Sequence, residues 1–242
     1  MNHQAVILGA TGLVGSHIVD ALLADPMWTR VICLGRRRTG RTHHKLVEHV
    51  VDLWDPPTWT RLVQGDVAFS ALGTTRRAAG AKQAQWEVDH DYQLAFATAA
   101  RMNRVPTFVL ISAAGANAHS RLFYPRMKGQ LEREIAALVF PRARVLRPSL
   151  LDGERAERRF TESAALGVLR PLRRILPAMA RPVEASVVAA AAIASAHNEF
   201  SGLRLLEALD IFALGAAHVD FAGPAALAPP RSVSYPTPDV PS

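Results

Sequence analysis

Seven short apolar runs pace the chain, and none of them alternates cleanly with polar residues. They are AVILG (5–9), RVICLG (30–35), LVEHVVDL (46–53), DVAFSALG (66–73), TFVLIS (107–112), ARVLRPS (143–149) and LRLLEAL (203–209). A strand with one wet face alternates apolar and polar side chains. A strand buried on both faces reads as a nearly continuous apolar run. Helical patterns lie between most of the runs. GLVGSHIVDALLAD (12–25) spaces its apolar residues for one helix face. QWEVDHDYQLAFATAARMN (85–103) puts Val88, Tyr92, Phe96 and Ala99 on one stripe, and PRMKGQLEREIAALV (125–139) repeats the pattern. Strands alternating with helices predict an α/β protein: a doubly wound parallel sheet flanked by helices, with right-handed crossovers.

The first helix opens on a glycine turn. VILGATGLVGSHI places Gly9, Gly12 and Gly15 in GxxGxxG spacing directly behind a strand, with Thr11, Leu13 and Val14 in the same turn. Gly9 permits the tight turn, Gly12 lets backbone approach a pyrophosphate, and Gly15 lets helix and strand pack closely. The helix N-terminus then offers unpaired N–H groups and a positive dipole end to the anion. The architecture is therefore Rossmann-type, and a dinucleotide is expected in the turn. An NAD site would end the second strand with Asp or Glu to bond the ribose 2′-hydroxyl. Here the strand ends CLGRRR, and Arg36 and Arg37 suit a 2′-phosphate. The expected cofactor is NADP(H), with Asp52 and Leu53 placed after the third strand to meet the adenine.

Within SRLFYPRMKGQLEREI (120–135), Tyr124 and Lys128 stand at i and i+4, on one helix face. Pro125 is tolerated there because the first helical turn needs no donor at that position. A free tyrosine, with a pKa near ~10, is a poor acid–base at neutral pH. A lysine one turn away would stabilise the phenolate and lower that value. Ser112 ends the preceding apolar run, and its hydroxyl could hold a substrate carbonyl.

This constellation resembles the short-chain dehydrogenase/reductase superfamily over residues 4–215 or so. The glycine spacing fits its extended and atypical branches. ALGTTRRAAGAKQAQWEVDHDYQLAFATAA (71–100), LISAAGANAHSRLFYPRMKGQLE (110–132) and VLRPSLLDGER (145–155) resemble the atypical subgroup that includes the Tat-interacting oxidoreductase. The resemblance implies a Rossmann domain binding NADPH, with Ser112, Tyr124 and Lys128 as the catalytic triad. It also implies that Leu72, Gly73 and Thr74 line the cofactor, and that the backbone at Pro148 and Ser149 approaches the nicotinamide. Many family members complete a tetrad with an asparagine on the long helix before strand five. EVDHDY offers Asp89 and Asp91 instead. The subgroup also includes regulatory members that bind NADPH, so a redox-sensing binder with little turnover is the alternative to a carbonyl reductase.

The remaining sequence bounds these readings. With 242 residues, 49% of them hydrophobic, the chain suits one large domain over 1–222. Residues 150–185 break the strand–helix rhythm and are expected to form a small substrate-side lobe. From Pro224 on, six prolines in nineteen residues predict a loose tail, so 223–242 is set apart. The net charge of +7 is scattered apart from GRRRTGR (35–41), which argues against nucleic acid as a partner. ASVVAAAAIASA (185–196) is too short to span a bilayer. It reads as a small-residue helix, and no membrane association is expected. The N-terminus shows no signal-peptide pattern, and the single cysteine, Cys33, reads as a buried thiol in a reducing cytoplasm. No Cys/His cluster suggests a metal. ISAAGA lacks the first glycine of a nucleophile elbow. Arg76, Arg77 and Lys82 could greet an anion, and the tryptophans at 28, 54, 59 and 86 read as core. The expected partner is a small carbonyl compound, and the long helices could pair two copies across a two-fold axis.

Overall fold

The computed structural model describes residues 3–149, 151–152 and 183–219. Most of the expected lobe at 150–185, and the proline-rich tail, lie outside the described residues. Strand β1 (His3–Leu8) leads through the glycine turn into α1 (Leu13–Ala24). Next come β2 (Trp28–Gly35), β3 (Leu46–Val50), the short α2 (Pro56–Trp59) and β4 (Val67–Ser70). Two short helices follow, α3 (Arg76–Ala79) and α4 (Lys82–Trp86). A π-helical segment (Glu87–Asp91) then runs into α5 (Tyr92–Met102) and β5 (Thr107–Ile111). The second half holds α6 (Phe123–Ala137), β6 (Arg142–Leu146), β7 (Leu151–Asp152), β8 (Val183–Glu184), α7 (Ala185–His197), β9 (Gly202–Leu206) and α8 (Ala208–Val219).

Seven strands form one sheet in the order β3-β2-β1-β4-β5-β6-β9, and every pairing is parallel. The period-two geometry of strands divides the side chains between two cores. Ala5 and Ile7 face α1 and α7, where Ile18, Leu22, Val188 and Ala192 are buried. Val6 and Leu8 face the other layer, with Phe96, Leu131 and Ile135. The run at 185–196 forms α7, which is buried nearly all round, as small side chains at close helix–sheet spacing allow. At Gly215 a side chain would sit 2.6 Å from the Val187 carbonyl oxygen, so glycine sets the approach of α8 to α7.

Two features depart from the sequence reading. The helix expected over 85–103 runs without a gap through α4, the π segment and α5, but it widens at the π segment. Trp28 and Trp59 are fully buried, but Trp54 is 64% exposed and meets Tyr92 edge-on.

Among the described residues, buried Arg144 on β6 has no carboxylate partner. It donates instead to the carbonyls of Ala143, Ser195, Asn198, Phe200 and Gly202, which pins the α7–β9 connection to the sheet. Burial, with help from Arg204 and Arg142, lowers its pKa to about 10.

The connections from β1 and β4 leave the sheet toward opposite layers. A crevice therefore opens at the carboxyl ends of these neighbouring strands, where doubly wound sheets bind their ligands.

Candidate functional site

The glycine turn floors the crevice. Gly9 has φ +91°, and a Cβ there would lie 2.5 Å from the Ala71 carbonyl carbon and the Leu72 nitrogen. A Cβ on Gly15 would lie 2.2 Å from the Gly9 oxygen, so this glycine serves the packing of α1 on β1. Gly12 N donates to Gly9 O at 2.9 Å, and Gly12 caps α1 without any side-chain hydrogen bond. The turn opens into a cavity of about 480 Å³ lined by Gly9, Thr11, Gly12, Arg36, Arg37, Leu53, Leu72, Gly73 and Thr74. Bare backbone at a helix N-terminus and an arginine-bearing wall suit the diphosphate and ribose of a dinucleotide. Asp52 is exposed and accepts a hydrogen bond from Trp54 N at 3.0 Å.

The arginine cluster divides its work. Arg41 is paired with Asp20 at 2.5 Å, and Arg38 stands 4.0 Å from Glu48. Arg36 and Arg37 remain on the cavity wall, with Arg37 Nε 3.5 Å from Thr11 Oγ1. Glu48, on β3, was not legible as a site residue. It pairs in register with Cys33, lines the same cavity, and accepts from Thr39 N at 2.6 Å. Burial first, then the Glu48 carboxylate, pushes the Cys33 thiol up to about 12.

A second cavity of about 530 Å³ adjoins the first through Gly12 and residues 71–74. Leu13, Val14, Ser112, Tyr124, Lys128 and Pro148 line it, together with Gln85, Asp89 and Ser149. Several backbone contacts bring Ser112 and Tyr124 to one wall. Ser112 N donates to Leu146 O at 2.7 Å, extending the β5–β6 pairing by one residue. The loop then turns back, and Asn117 N donates to Pro125 O at 2.9 Å. It presses so closely on α6 that a Cβ at Gly129 would lie 2.2 Å from Ala118 N. Helix α6 begins at Phe123, which leaves Tyr124 in its first turn and Lys128 one turn deeper.

The electrostatics differ from the sequence expectation. Lys128 is buried, and its Nζ donates to Ile111 O at 3.5 Å. Desolvation lowers its pKa, opposed by the Asp89 and Glu132 carboxylates. The Tyr124 phenol is not lowered but raised, by desolvation first and by Asp89 second. The tyrosine as a whole keeps 40% of its surface open and lines the cavity beside Lys128.

Asp89 reaches the site from the π segment, a local widening often found at functional positions. Thr74 N donates to both of its oxygens at 3.2 Å. Burial raises Asp89 to about 6, against the pull of Lys128, the Thr74 N–H and Gln85. Asp91 is engaged elsewhere, accepting from Trp86 Nε1 at 2.9 Å.

Sequence reasoning missed Glu132. It is buried on α6, and its Oε1 accepts the Ser112 hydroxyl proton. Arg147 clamps it at 2.6 Å and reaches Glu207 at 2.9 Å. A carboxylate can only accept, so the serine hydroxyl spends its single proton on Glu132. The i+4, i+8 stripe of Tyr124, Lys128 and Glu132 was a usable signal. Arg147 and Glu207, which come from other elements, had none. Lys82 lies over the Phe123 ring, 5.7 Å from its centroid. Among the described residues, no three His, Cys, Asp or Glu side chains gather as a metal group, and no helix is long and apolar enough to cross a membrane.

Comparison with known proteins agrees with this geometry. The model of the NAD dependent epimerase/dehydratase family matches residues 5–129. The mitochondrial protein fmp52 of Aspergillus fumigatus is 40% identical over 170 residues, 66% of this chain and 72% of the relative. Its namesake in Eremothecium gossypii is 36% identical over 218 residues, 87% and 96% of the two chains. A short-chain dehydrogenase/reductase family oxidoreductase from Burkholderia thailandensis superposes with TM-score 0.67 at 19% identity, covering 90% of this chain and 97% of that one. These findings support the short-chain dehydrogenase/reductase assignment at the coarse level. The relatives carry the FMP52 name rather than that of the Tat-interacting oxidoreductase. They also correct the cytoplasmic expectation, because their names point to the mitochondrion. A lone buried thiol shows that no internal disulfide forms, but it does not distinguish one reducing compartment from another. With a glycine-turn cavity for a nicotinamide cofactor and a tyrosine–lysine wall beside it, the chain belongs to the NAD dependent epimerase/dehydratase family.

Proposed function

We propose that this chain is an NADPH-dependent reductase of small carbonyl compounds, with Ser112, Tyr124 and Lys128 as its catalytic group. One observation carries the reading: Tyr124 and Lys128 line a cavity continuous with the glycine-turn cavity through Gly12 and residues 71–74. Gly9, Gly12 and the α1 N-terminus would hold the cofactor diphosphate, and Gly73, Thr74 and Pro148 its nicotinamide half. When bound, the reduced nicotinamide supplies a hydride. Tyr124 then donates a proton to the carbonyl oxygen. Lys128 fixes the charge of the site from below, and the apolar walls at Leu13, Val14 and Ile111 hold back water. NADPH is favoured over NADH by Arg36 and Arg37 on the cavity wall, while the Glu48 carboxylate beside them is engaged by Thr39 N.

A second reading is a redox-sensing binder in which NADPH is only a ligand. The Ser112 proton, committed to Glu132, favours it, because that hydroxyl has none left to polarise a carbonyl. NADPH fluorescence followed over a panel of aldehydes, ketones and quinones separates the two. Enhanced emission that decays with one compound, and stalls in Tyr124→Phe, supports the reductase. Emission that stays flat across the panel supports the sensor, and no enhancement together with no binding heat in calorimetry removes both.

A further inference from the structure

We propose that the buried Glu132–Arg147 pair fixes Ser112 as a hydrogen-bond acceptor, and that the site therefore takes carbonyl compounds carrying a hydroxyl on the neighbouring carbon. The inference deepens the proposed reductase reading and rests on it for the reaction, but not for the polarity of the serine.

The polarity follows from which groups can donate. Glu132 is buried on α6. Arg147 Nε lies 3.1 Å from its Oε1 and 3.2 Å from its Oε2, and Arg147 Nη2 lies 2.6 Å from Oε2. Arg147 Nη1 meets Glu207 Oε1 at 2.9 Å. A guanidinium has donors only. Both Glu132 oxygens therefore face N–H groups, and the carboxylate has only lone pairs to offer. Ser112 Oγ is bonded to the same Oε1. In that bond the serine is the donor, so its one proton goes to Glu132. Ser112 also lines the cavity that holds Tyr124 and Lys128. What it offers a substrate there is oxygen lone pairs.

Those lone pairs discriminate between substrates. A carbonyl oxygen set against Ser112 Oγ would place acceptor against acceptor. A donor in the same place completes a bond. Tyr124 supplies the proton in the proposed reaction, so the carbonyl oxygen belongs to Tyr124 and a second, donating group to Ser112. A hydroxyl supplies that donor without bringing another cation into the cavity that buried Lys128 lines. On the carbon next to the carbonyl, it suits two side chains on one wall.

In the reduction, a hydride from NADPH forms the new C–H bond at the carbonyl carbon. The C=O π pair moves to oxygen, which takes the Tyr124 proton, and solvent restores that proton. NADP+ and a vicinal diol result, and the hydroxyl held by Ser112 passes through unchanged. Glu132 and Arg147 are positioning residues, acting through the serine. An ion pair that only braced α6 against the ends of β6 and β9 would leave substrate choice alone.

The experiment compares three small ketones: hydroxyacetone, whose hydroxyl donates; methoxyacetone, whose ether oxygen cannot; and butanone, which lacks that oxygen. NADPH consumption gives kcat/KM for each, and saturation-transfer NMR on the full-length protein with NADP+ reads binding without turnover. In the wild type, hydroxyacetone is expected to lead both others by about tenfold or more. Glu132→Gln keeps an oxygen for Arg147, and its amide N–H can donate to Ser112 Oγ and free the serine proton. The lead of hydroxyacetone over butanone is then expected to fall to about twofold or less. Ser112→Ala, which leaves the ion pair in place, is expected to erase the same lead, and it stands in if Glu132→Gln does not fold. No preference for hydroxyacetone by either readout in the wild type overturns the proposal, and so does a preference that survives in either folded variant. Hydroxyacetone that binds preferentially but is never reduced would remove the reductase and leave the polarity of the serine standing. Reduction of all three ketones alike would do the reverse.

Discussion

The two ends of the crevice are built by different means. At the glycine end, Gly9, Gly12 and Gly15 fall within seven residues, and backbone shape does the work. Atoms as close as 2.2 Å to a would-be Cβ leave no alternative to glycine at position 15. At the tyrosine end, function depends on how buried charges match. Those charges come from the π segment, from α6, and from the residues following β6 and β9. The comparison teaches that a steric requirement is met by one residue type at one spacing, whereas a charge can be matched from anywhere the fold brings near.

The sharpest test of that contrast is Tyr124→Phe. Removing one hydroxyl should lower NADPH-dependent turnover by about 10²–10⁴-fold, with the urea midpoint unchanged. A matching loss of stability would mean the tyrosine is structural and the two ends are alike. Next comes Glu132→Ala, which strands Arg147 and the Ser112 hydroxyl in the interior. It should cost about 3–5 kcal/mol in urea denaturation. Glu207→Ala, at the exposed end of the same ion chain, should cost under about 1 kcal/mol.

At the glycine end, Gly15→Ala forces a methyl against the Gly9 carbonyl and should cost about 1–3 kcal/mol while weakening cofactor binding. Normal binding in a fully stable Gly15→Ala would break the steric account. Arg36→Ala should weaken NADPH about tenfold, by loss of one charge-assisted contact, and leave NADH unchanged in a fluorescence titration.

A pH dependence is expected as well. Asp89 has its folded pKa raised from 3.8 to about 6. Its contribution to stability is therefore fully present below the unfolded value and is lost as pH rises through the folded one. Between about pH 4 and 6 the wild type should lose roughly 6–12 °C in Tm relative to Asp89→Asn, measured calorimetrically. Parallel curves would show that Asp89 is not ionising inside the fold.

Much of the scaffold could be read in advance. Each of the seven apolar runs overlaps one strand of the parallel sheet, and the inner strands, covered on both faces, leave the continuous apolar signature. The long helix was legible only in outline. Nothing in EVDHDY shows that the helix widens there, where Asp89 meets Thr74 N while Asp91 bonds Trp86. The tyrosine and lysine were visible as an i, i+4 pair, but the effect of that pair on the phenol was not.

By itself, then, the sequence determined the strand–helix alternation, the glycine turn under its cavity, and the pairing of Tyr124 and Lys128 on one helix face. Each of these follows from local spacing or from a steric need that a single residue type meets. Only the tertiary structure decided the protonation logic of the site. It placed Asp89 and Lys128 on one cavity, committed the Ser112 proton to Glu132, and matched Glu132 with Arg147. The physical reason is that burial strengthens every charge interaction, and which charges are buried together depends on elements far apart in the chain.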